Sequence, residues 1–564
     1  MKNITVVTFA LLTILIAPLS IQAADKPRLV LQITVDQLRG DLPGRFRDRY
    51  GEGGFRFLFE EGLNYANAHY HHANTETIVG HASLATGAYP AVHGMVGNLW
   101  LDHDLDRLVY NIEDPDYRLL SANADVNTDT EIDPTQRAAK VEGRSPRAIL
   151  VSTFGDELRG LTGGQSKVFG VSVKDRGAVS LAGHTGKAFW FSKAAGEFVT
   201  STYYYDEYPE YVMRWNAQNK AAAYGDTSWT LTKDRDSYLF GVSDDRSWET
   251  DFPGFGQTFP HRYGPADDSL FTTRLTLSPA GDELTLDFAL ALLEAEQLGQ
   301  DEVTDFLAIS FSSTDYVGHI FGPSSLEMED NLLRLDRTLA KLFAQVDETV
   351  GLENTLIVLS ADHGGPDTPG YMEELGYAGV DYFDVDSMER EPAIMALKAR
   401  FGLGEQLIDQ YSHPYLHLNR EAIAQQNLDL AEVQQAVASE LARFPGIREA
   451  VPSTALRANA VPDFPLMEMV RNNFHPGRSG DVYVIFDPNV FINDFDGLVV
   501  ASTHGSPWAY DTFVPIFFAG KGITNDTIYR PVTPYDIAPT LSARVGARPP
   551  SGATGSVLAE VVDD

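Results

Sequence analysis

The 564-residue sequence contains no cysteine. Disulfide bridges, thiolate metal ligands and a lipid-modified N-terminal cysteine are therefore excluded, and any metal must be held by His, Asp and Glu. Basic residues are also scarce, since 43 Lys and Arg face 79 Asp and Glu, for a formal net charge of −36. This charge opposes binding to nucleic acid, so we expect no nucleic-acid partner. An anionic substrate would need a locally positive site.

Long apolar runs are missing beyond the N-terminus. The stretch MKNITVVTFALLTILIAPLSIQAADK combines an early Lys, a short apolar run and small residues at Ala23 and Ala24, which is the pattern of a secretory signal peptide. No later run reaches the roughly 18 residues that a transmembrane helix needs. We predict a signal peptide at residues 1–23, no integral membrane segment, and a periplasmic or secreted protein.

Four short apolar runs have the composition of strands that are buried on both faces, as in a parallel sheet. They are Leu29 to Val35, Phe306 to Phe311, Thr355 to Leu359 and Phe513 to Phe518. Leucines recur at helical spacing from Glu327 to Val350, between the second and third runs. Because strand, helix and strand alternate in α/β proteins, we predict an α/β fold with a central, mostly parallel sheet flanked by helices.

The length exceeds that of a usual single core, and three stretches lack the strand pattern. Asp116 to Ala139 is polar and rich in Asp, Phe189 to Trp215 is densely aromatic, and the stretch from Pro366 to about Val499 has no comparable apolar run. We interpret all three as excursions from the sheet. The expected organisation is one domain over 24–564 with inserted cap segments at about 100–145, 185–280 and 366–499.

Acidic and imidazole side chains adjoin the predicted strands. In chain order they are Asp36 after the first strand, Asp315 and His319 after the second, Asp362 and His363 after the third, and His504 before the fourth. Open α/β sheets bind ligands beyond the carboxyl ends of their strands. Each residue alone could be a turn residue or a hydrogen-bonded structural His. Together they form a sulfur-free ligand set that suits zinc or a similar divalent ion.

The stretch NTETIVGHASL, from Asn74 to Leu84, runs from a Thr-rich turn into a helical pattern. Thr77 stands at the start of this helix, where a Thr normally caps backbone N–H groups. The same position faces the positive end of the helix dipole, where phosphate can bind. A hydroxyl needs a base or a metal to become a nucleophile at neutral pH. Thr77 therefore has two interpretations, whereas we interpret Thr75 as a turn or cap residue.

The ordered set of Asp, Thr, D-x-x-x-H, D-H and a final His resembles the alkaline phosphatase superfamily. It is most similar to the exported, phosphate-irrepressible alkaline phosphatases of the PafA type, which use Thr as nucleophile. The stretches that carry this similarity are DQLRGDL, YGEGGFRFLFEEG, TETIVGHASLATGAYPAVHGMVGN, VSVKDRGAV and TSTYY. The resemblance extends over most of the chain and implies an alkaline phosphatase-like fold.

The resemblance also implies roles for individual residues. One zinc would be held by Asp36, Asp362, His363 and the Thr77 oxygen, and a second zinc by Asp315, His319 and His504. Three further residues would bind the phosphoryl oxygens: Asn98, Lys174 and Arg176. The implied protein is a monomeric, broad-specificity phosphomonoesterase that acts on small phosphomonoesters with two zinc ions per chain and a phosphothreonine intermediate at Thr77.

Two alternatives remain open at this point. Nucleotide pyrophosphatase/phosphodiesterases of the same superfamily share the bimetal site and the Thr but lack the K-x-R pair, which Lys174 and Arg176 form here. A noncatalytic, acidic metal-binding protein is supported by Asp125-x-Asn127-x-Asp129-x-Glu131, which imitates the start of a calcium loop. However, Thr130 stands where such a loop needs Gly and Gln136 where it needs Glu.

Other histidines and tyrosines receive structural interpretations. We interpret His71 and His72 as loop residues, and His81 and His93 as structural hydrogen-bonding residues. The tyrosines from Tyr203 to Tyr205 are expected to pack beneath an insertion that covers the site, with stacking against an aromatic leaving group as the alternative.

Overall fold

The computed structural model describes residues 26–495 and 497–562. The predicted signal peptide at 1–23 lies outside these residues. Within the described ranges, none of the helices is both long and apolar enough to cross a membrane.

The strands of the two larger sheets and the helices of seven or more residues are numbered in chain order. The strands are β1 (Leu29–Val35), β2 (Leu63–His69), β3 (Val168–Ser172), β4 (Lys187–Ser192), β5 (Glu197–Val199), β6 (Asp305–Phe311), β7 (Thr355–Ser360), β8 (Ile408–Ser412), β9 (Tyr415–Leu418), β10 (Ile447–Pro452), β11 (Val482–Phe486), β12 (Phe513–Gly520) and β13 (Asp526–Ile528). The helices are α1 (Phe55–Glu61), α2 (Thr77–Thr86), α3 (Phe154–Leu161), α4 (Asp175–Ala182), α5 (Glu210–Ala217), α6 (Pro279–Ala295), α7 (Ser313–Phe321), α8 (Leu326–Thr349), α9 (Pro392–Phe401), α10 (Leu430–Leu441), α11 (Pro465–Asn473) and α12 (Ile537–Val545).

A nine-stranded sheet forms the core, in the order β13-β2-β12-β7-β1-β6-β3-β4-β5. Its five central strands, β7 to β4 in this order, run parallel. Every residue of β1, β6 and β7 is buried, because these strands have packed layers on both faces. The α/β prediction with a mostly parallel central sheet is confirmed.

The register of the central strands explains where the site forms. Val35 pairs with Phe311 across β1 and β6, and Thr34 pairs with Ser360 across β1 and β7. The three strands therefore end level with one another. The segments that follow them begin at one edge of the sheet, which brings residues far apart in sequence together.

The predicted helix from Glu327 to Val350 is confirmed as α8, which begins one residue earlier and ends one residue earlier. Its leucines at 332, 335, 339 and 342 are buried in the main apolar core. The Ser325 side chain caps its first turn by accepting a hydrogen bond from the Met328 N–H.

Two expectations about the sheet are wrong. The run at Phe513 forms β12, but this strand is antiparallel to both β7 and β2. The aromatic stretch beginning at Phe189 is not wholly an excursion, because β4 and β5 lie within residues 187–199 and extend the sheet. The physical reason is packing: Phe198 stacks on Phe288 of α6 with ring centroids 4.2 Å apart. Residues 187–192 and 197–199 are therefore strands of the main sheet.

A second sheet, in the order β8-β9-β11-β10, lies within residues 366–499. It has an apolar core of its own, in which Val433 and Val437 of α10 cluster with Val482 and Val484 of β11. A hairpin of Leu99–Asp102 and Arg107–Tyr110 belongs to the segment near residue 100. Residues from both segments line one cavity beside the carboxyl end of the main sheet.

Candidate active site

The side chains of residues that follow the central strands lie close together. Asp315 Oδ1 lies 3.3 Å from the Nε2 atoms of both His319 and His504. His363 Nε2 lies 3.3 Å from Asp362 Oδ2 and 3.5 Å from Asp36 Oδ1. Among residues 26–495 and 497–562, two groups have ligand atoms close enough to hold a metal ion. They are Asp315, His319 and His504, and Asp36, Asp315 and His363.

Three imidazoles are oriented by backbone carbonyls. The Nδ1 atoms of His319, His504 and His363 lie 2.8, 2.9 and 2.9 Å from the carbonyl oxygens of Ser502, Thr75 and Gly364. Donation from Nδ1 leaves Nε2 as the atom with a free lone pair, directed at the carboxylates. This is the usual arrangement of histidines that bind metals.

Two buried polar atoms in this cluster have no hydrogen-bond partner. They are Oδ1 of Asp36 and Nε2 of His363. Burial and the neighbouring Asp362 raise the pKa of Asp36. Burial lowers the pKa of His363 to about 3, so its imidazole is neutral, as a ligand must be. Asp36, Asp315 and Asp362 are three buried carboxylates, and Lys174 is the buried cation that contacts two of them. Because buried negative charge in excess is costly, a divalent cation fits this set of donors.

Lys174 adds a positive charge between the two groups. Its Nζ lies 2.8 Å from Asp36 Oδ2 and 2.5 Å from Asp315 Oδ2. Burial alone lowers the pKa of Lys174, but Asp315 and Asp36 raise it above its ordinary value. For Asp315, burial raises the pKa, while Lys174 and His319 outweigh that effect and hold the pKa well below its usual range. The ammonium and the carboxylate are both charged.

Thr77 is the first residue of α2, and Glu76 occupies the N-cap position without a side-chain cap. The Thr77 hydroxyl makes no capping hydrogen bond to the helix backbone. Thr77 Oγ1 instead accepts a hydrogen bond of 3.2 Å from Arg176 Nη2. The close packing of α2 depends on Gly80, where a Cβ would lie 2.0 Å from the Asp362 carbonyl oxygen. Glycine thus lets the Thr77 helix approach the segment that carries Asp362 and His363.

The Asn98 side chain contacts the first turn of α2. Its Oδ1 accepts a hydrogen bond of 3.1 Å from the Ile78 N–H, and its own N–H donates to Glu76 Oε2 at 3.0 Å. With Oδ1 already bonded, Nδ2 is the side-chain donor left for a ligand. Asn98, Thr77 and Arg176 line one cavity, so three of the predicted residues share a single space.

Asp133 holds Arg176 and was not predicted. Its Oδ2 lies 2.7 Å from Arg176 Nη1, and its Oδ1 accepts hydrogen bonds from the N–H and hydroxyl of Thr135. Burial lowers the pKa of Arg176, but Asp133 and Tyr110 raise it well above its ordinary value. Asp133 falls in the Asp-rich stretch that the sequence presents as an excursion, and its spacing carries no signal of this contact.

Gln37 and His81 support the centre and were also not assigned to it. Gln37 Nε2 donates to Asp315 Oδ1 at 3.0 Å, and the residue has a positive φ of 65°. His81 Nδ1 lies 3.0 Å from Asp362 Oδ2, and its Nε2 lies 2.8 Å from Ser310 Oγ. His81 is therefore a hydrogen-bonding residue, as the sequence interpretation had it, and one of its partners is the candidate metal ligand Asp362. Adjacency to Asp36 was the only sequence signal for Gln37.

Other histidines and tyrosines lie in hydrogen-bonded or buried positions away from the candidate ligands. His93 Nε2 lies 3.1 Å from Ser83 Oγ, and His72 is buried 2.5 Å from the Tyr535 hydroxyl. The Tyr203 hydroxyl donates to the His184 carbonyl, and Tyr204 is buried in an apolar cluster.

The calcium-like stretch has cationic partners. Glu131 pairs with Lys193, and Asp125 lies 3.6 Å from Arg144. Within 26–495 and 497–562, the two groups able to hold a metal are those beside the sheet, and neither includes these residues. The observation that favoured a noncatalytic calcium protein is thereby removed.

Comparison with known proteins places this geometry in a family. The family model described as Type I phosphodiesterase / nucleotide pyrophosphatase matches residues 30–507. The chain therefore belongs to that family, within the alkaline phosphatase superfamily, and the resemblance found in the sequence is confirmed.

Individual relatives are alkaline phosphatases. The chain is 34% identical to alkaline phosphatase PhoV of Synechococcus elongatus, over 96% of this chain and 94% of that protein. It is also 34% identical to alkaline phosphatase PafA of Elizabethkingia meningoseptica, over 96% and 95%. A crystal structure of wild-type alkaline phosphatase PafA has a TM-score of 0.85 at 33% identity, covering 96% of this chain and 100% of that one. Murine ectonucleotide pyrophosphatase / phosphodiesterase 5, at 12% identity and a TM-score of 0.51, shares the fold.

Proposed function

We propose that this protein is an exported phosphomonoesterase that uses two zinc ions and a covalent phosphothreonine intermediate. Its activity is that of an alkaline phosphatase, as the similarity to PafA and PhoV over nearly the full length supports. The observation that carries the proposal is the position of Thr77 Oγ1, which is bonded to Arg176 at 3.2 Å in a cavity lined by Asn98, Asp315, His319 and His504.

The proposed ligands are the carboxylates and imidazoles at the strand ends. One zinc would be held by Asp36, Asp362, His363 and Thr77, and the other by Asp315, His319 and His504. When bound, zinc supplies Lewis acidity that lowers the pKa of a hydroxyl or water and takes up charge on oxygen. The neutral, buried His363 and the unbonded Oδ1 of Asp36, 3.5 Å from His363 Nε2, support this assignment.

The remaining steps use the residues of the chain. Thr77 Oγ1 gives its proton to solvent and attacks phosphorus. The ester P–O bond breaks, phosphothreonine forms, and the departing oxygen takes a proton from solvent and leaves as the alcohol. Water then attacks phosphorus, the bond to Thr77 breaks, and inorganic phosphate leaves. A monoester dianion has three nonbridging oxygens, for which Arg176 offers a planar fork, Lys174 a point charge and Asn98 an amide donor.

A diesterase is the second candidate, because the matching family model is named for phosphodiesterases and nucleotide pyrophosphatases. The buried cations Lys174 and Arg176 favour the monoesterase, since a diester carries one charge fewer and one oxygen is blocked. We further propose that residues 24–564 form a single catalytic domain, that the protein is monomeric, and that it acts in the periplasm or outside the cell.

The deciding experiment compares kcat/KM of the zinc-loaded protein for a nitrophenyl phosphate monoester and the matching diester. Preference for the monoester by orders of magnitude is expected. Preference for the diester would transfer the protein to the second candidate. Failure to hydrolyse either ester would overturn both. Trapping phosphate on Thr77 at low pH, read by mass spectrometry with Thr77→Ala as control, tests the intermediate.

A further inference from the structure

The space next to Thr77 is larger than a phosphoryl group requires. The cavity has a volume of about 350 Å³, within the range of small-molecule sites, ~300–1,000 Å³. Thr77, Asn98 and Arg176 lie on its lining, together with side chains from the two segments that extend beyond the main sheet. The volume beyond the phosphoryl group is available to the leaving group of a substrate.

Many apolar side chains line this cavity, and we call six of them the apolar wall. They are Leu108, Ile132, Phe491, Ile492, Phe495 and Leu498. Five of the six are only partly buried, and Phe491 is buried. Partly exposed apolar groups facing one cavity gain free energy when an apolar ligand displaces water from them.

The apolar wall is anchored next to the candidate metal centre. The Phe495 ring lies edge-on to the His319 ring with centroids 5.1 Å apart, and the Phe495 carbonyl accepts a hydrogen bond of 2.8 Å from Arg137 Nη2. Phe495 and Leu498 pair across a short hairpin. The departing oxygen of a substrate on Thr77 would therefore be adjacent to apolar side chains.

Charges on the cavity lining act against an anionic leaving group. Of the described residues that line the cavity, Arg176 is the one Lys or Arg. Its guanidinium is paired with Asp133 and donates a hydrogen bond to Thr77. Carboxylates of Glu76 and Asp494 also line the cavity. A second phosphate or a carboxylate on the leaving group would meet these groups with no further Lys or Arg on the lining to offset them.

We propose that the site is selective for phosphomonoesters whose leaving group is uncharged and apolar, such as alkyl and aryl phosphates, and that the apolar wall confers this selectivity. The inference rests on the proposed phosphomonoesterase function. It names Leu498 and Phe495 as residues that determine specificity through the leaving group and take no part in the chemical steps.

The test uses n-alkyl phosphates from methyl to hexyl, because their leaving alcohols have similar acidity and differ in apolar surface. Fully buried methylenes contribute about fourfold each, so kcat/KM should rise at least about tenfold from methyl to hexyl phosphate. A hexyl ester with a terminal carboxylate should lose most of that gain.

Leu498→Ala should reduce the hexyl-to-methyl ratio of kcat/KM by at least about threefold. Val499→Ala is the matched control, because Val499 is the next residue of the same hairpin and is 60% exposed; it should leave the ratio unchanged. A flat alkyl series with normal hydrolysis of nitrophenyl phosphate would overturn this inference and keep the proposed function. Equal hexyl-to-methyl ratios of kcat/KM in Leu498→Ala and Val499→Ala would show that the apolar wall does not determine the selectivity. Absence of phosphate release from every monoester would instead overturn the proposed function.

Discussion

Arg176 Nη2 donates to Thr77 Oγ1 at 3.2 Å, so the guanidinium lies within hydrogen-bond distance of the atom to which a phosphoryl group would be transferred. This contact couples the cation to the nucleophile directly. It distinguishes Arg176 from a solvated basic residue on a loop, since its side chain is 97% buried.

Replacing Arg176 by Ala should lower kcat/KM for a nitrophenyl monoester by about 10²- to 10³-fold, because a donor aligned with developing charge is removed. The loss for the matching diester should be about tenfold or less. The monoester kcat/KM of Arg176→Lys should lie between those of the wild type and Arg176→Ala, since Lys keeps the charge but lacks the planar fork. Arg214→Ala is the control, as Arg214 forms an exposed pair with Glu210. Equal losses for monoester and diester would show that Arg176 does not read substrate charge.

Asp133 should act as a positioning residue for Arg176. Asp133→Asn keeps an oxygen for the Thr135 N–H but removes the charge that holds the guanidinium, so monoester kcat/KM should fall about tenfold and phosphate inhibition should weaken by a similar factor. Diester hydrolysis should change little. A proportionate fall for both substrates, with an unchanged phosphate inhibition constant, would indicate a purely structural role.

The number of zinc ions bound per chain should fall by different amounts when different ligand residues are replaced. Asp315 belongs to both candidate groups, whereas His319 belongs to one. Elemental mass spectrometry should find near two zinc ions per wild-type chain, about one in His319→Ala and fewer in Asp315→Asn, with activity lost on chelation.

Asp125→Asn/Asp129→Asn is the control for this series, because those carboxylates lie outside both groups, and it should retain full metal content. Two bound ions in Asp315→Asn, in a protein whose circular dichroism matches the wild type, would contradict the placement of Asp315 among the ligands of both groups.

His417 predicts a pH dependence of stability remote from the metal centre. It is buried, neither ring nitrogen has a hydrogen-bond partner, and burial lowers its pKa from 6.5 to about 4. The folded state therefore binds fewer protons than the unfolded state between these values, so stability falls as pH drops from 6.5 to 4, by at most about 3 kcal/mol. His417→Leu should flatten this part of the urea-unfolding free energy against pH. An unchanged slope would show that His417 does not contribute.

Screening salt should help polyanionic substrates most. The net charge of −36 repels a nucleotide more strongly than a monoester with a neutral leaving group, and this repulsion weakens with ionic strength. Raising salt from low to moderate concentration should therefore increase kcat/KM more for a nucleoside phosphate than for phenyl phosphate. Equal responses would contradict the prediction.

Much of this site was determined by the sequence alone. Apolar runs predicted β1, β6 and β7, and the polar residues just beyond them predicted a cluster at one edge, because parallel strands present their carboxyl ends together. Asp36, Asp315 and His363 could be assigned in this way since each is tied to a strand. The helix from Leu326 to Thr349 was predictable from its period.

Tertiary structure decided what depends on contacts between distant segments. Asp133 and Arg176 are 43 residues apart, and no local pattern encodes their pairing. The direction of β12 and the place of β4 and β5 in the sheet follow from pairing partners, which strand composition does not reveal. The apolar wall likewise joins Leu108 to Leu498 from two separate segments. Sequence determined the reactive groups because their order follows the strands, whereas the folded chain decided which charges and apolar surfaces surround them.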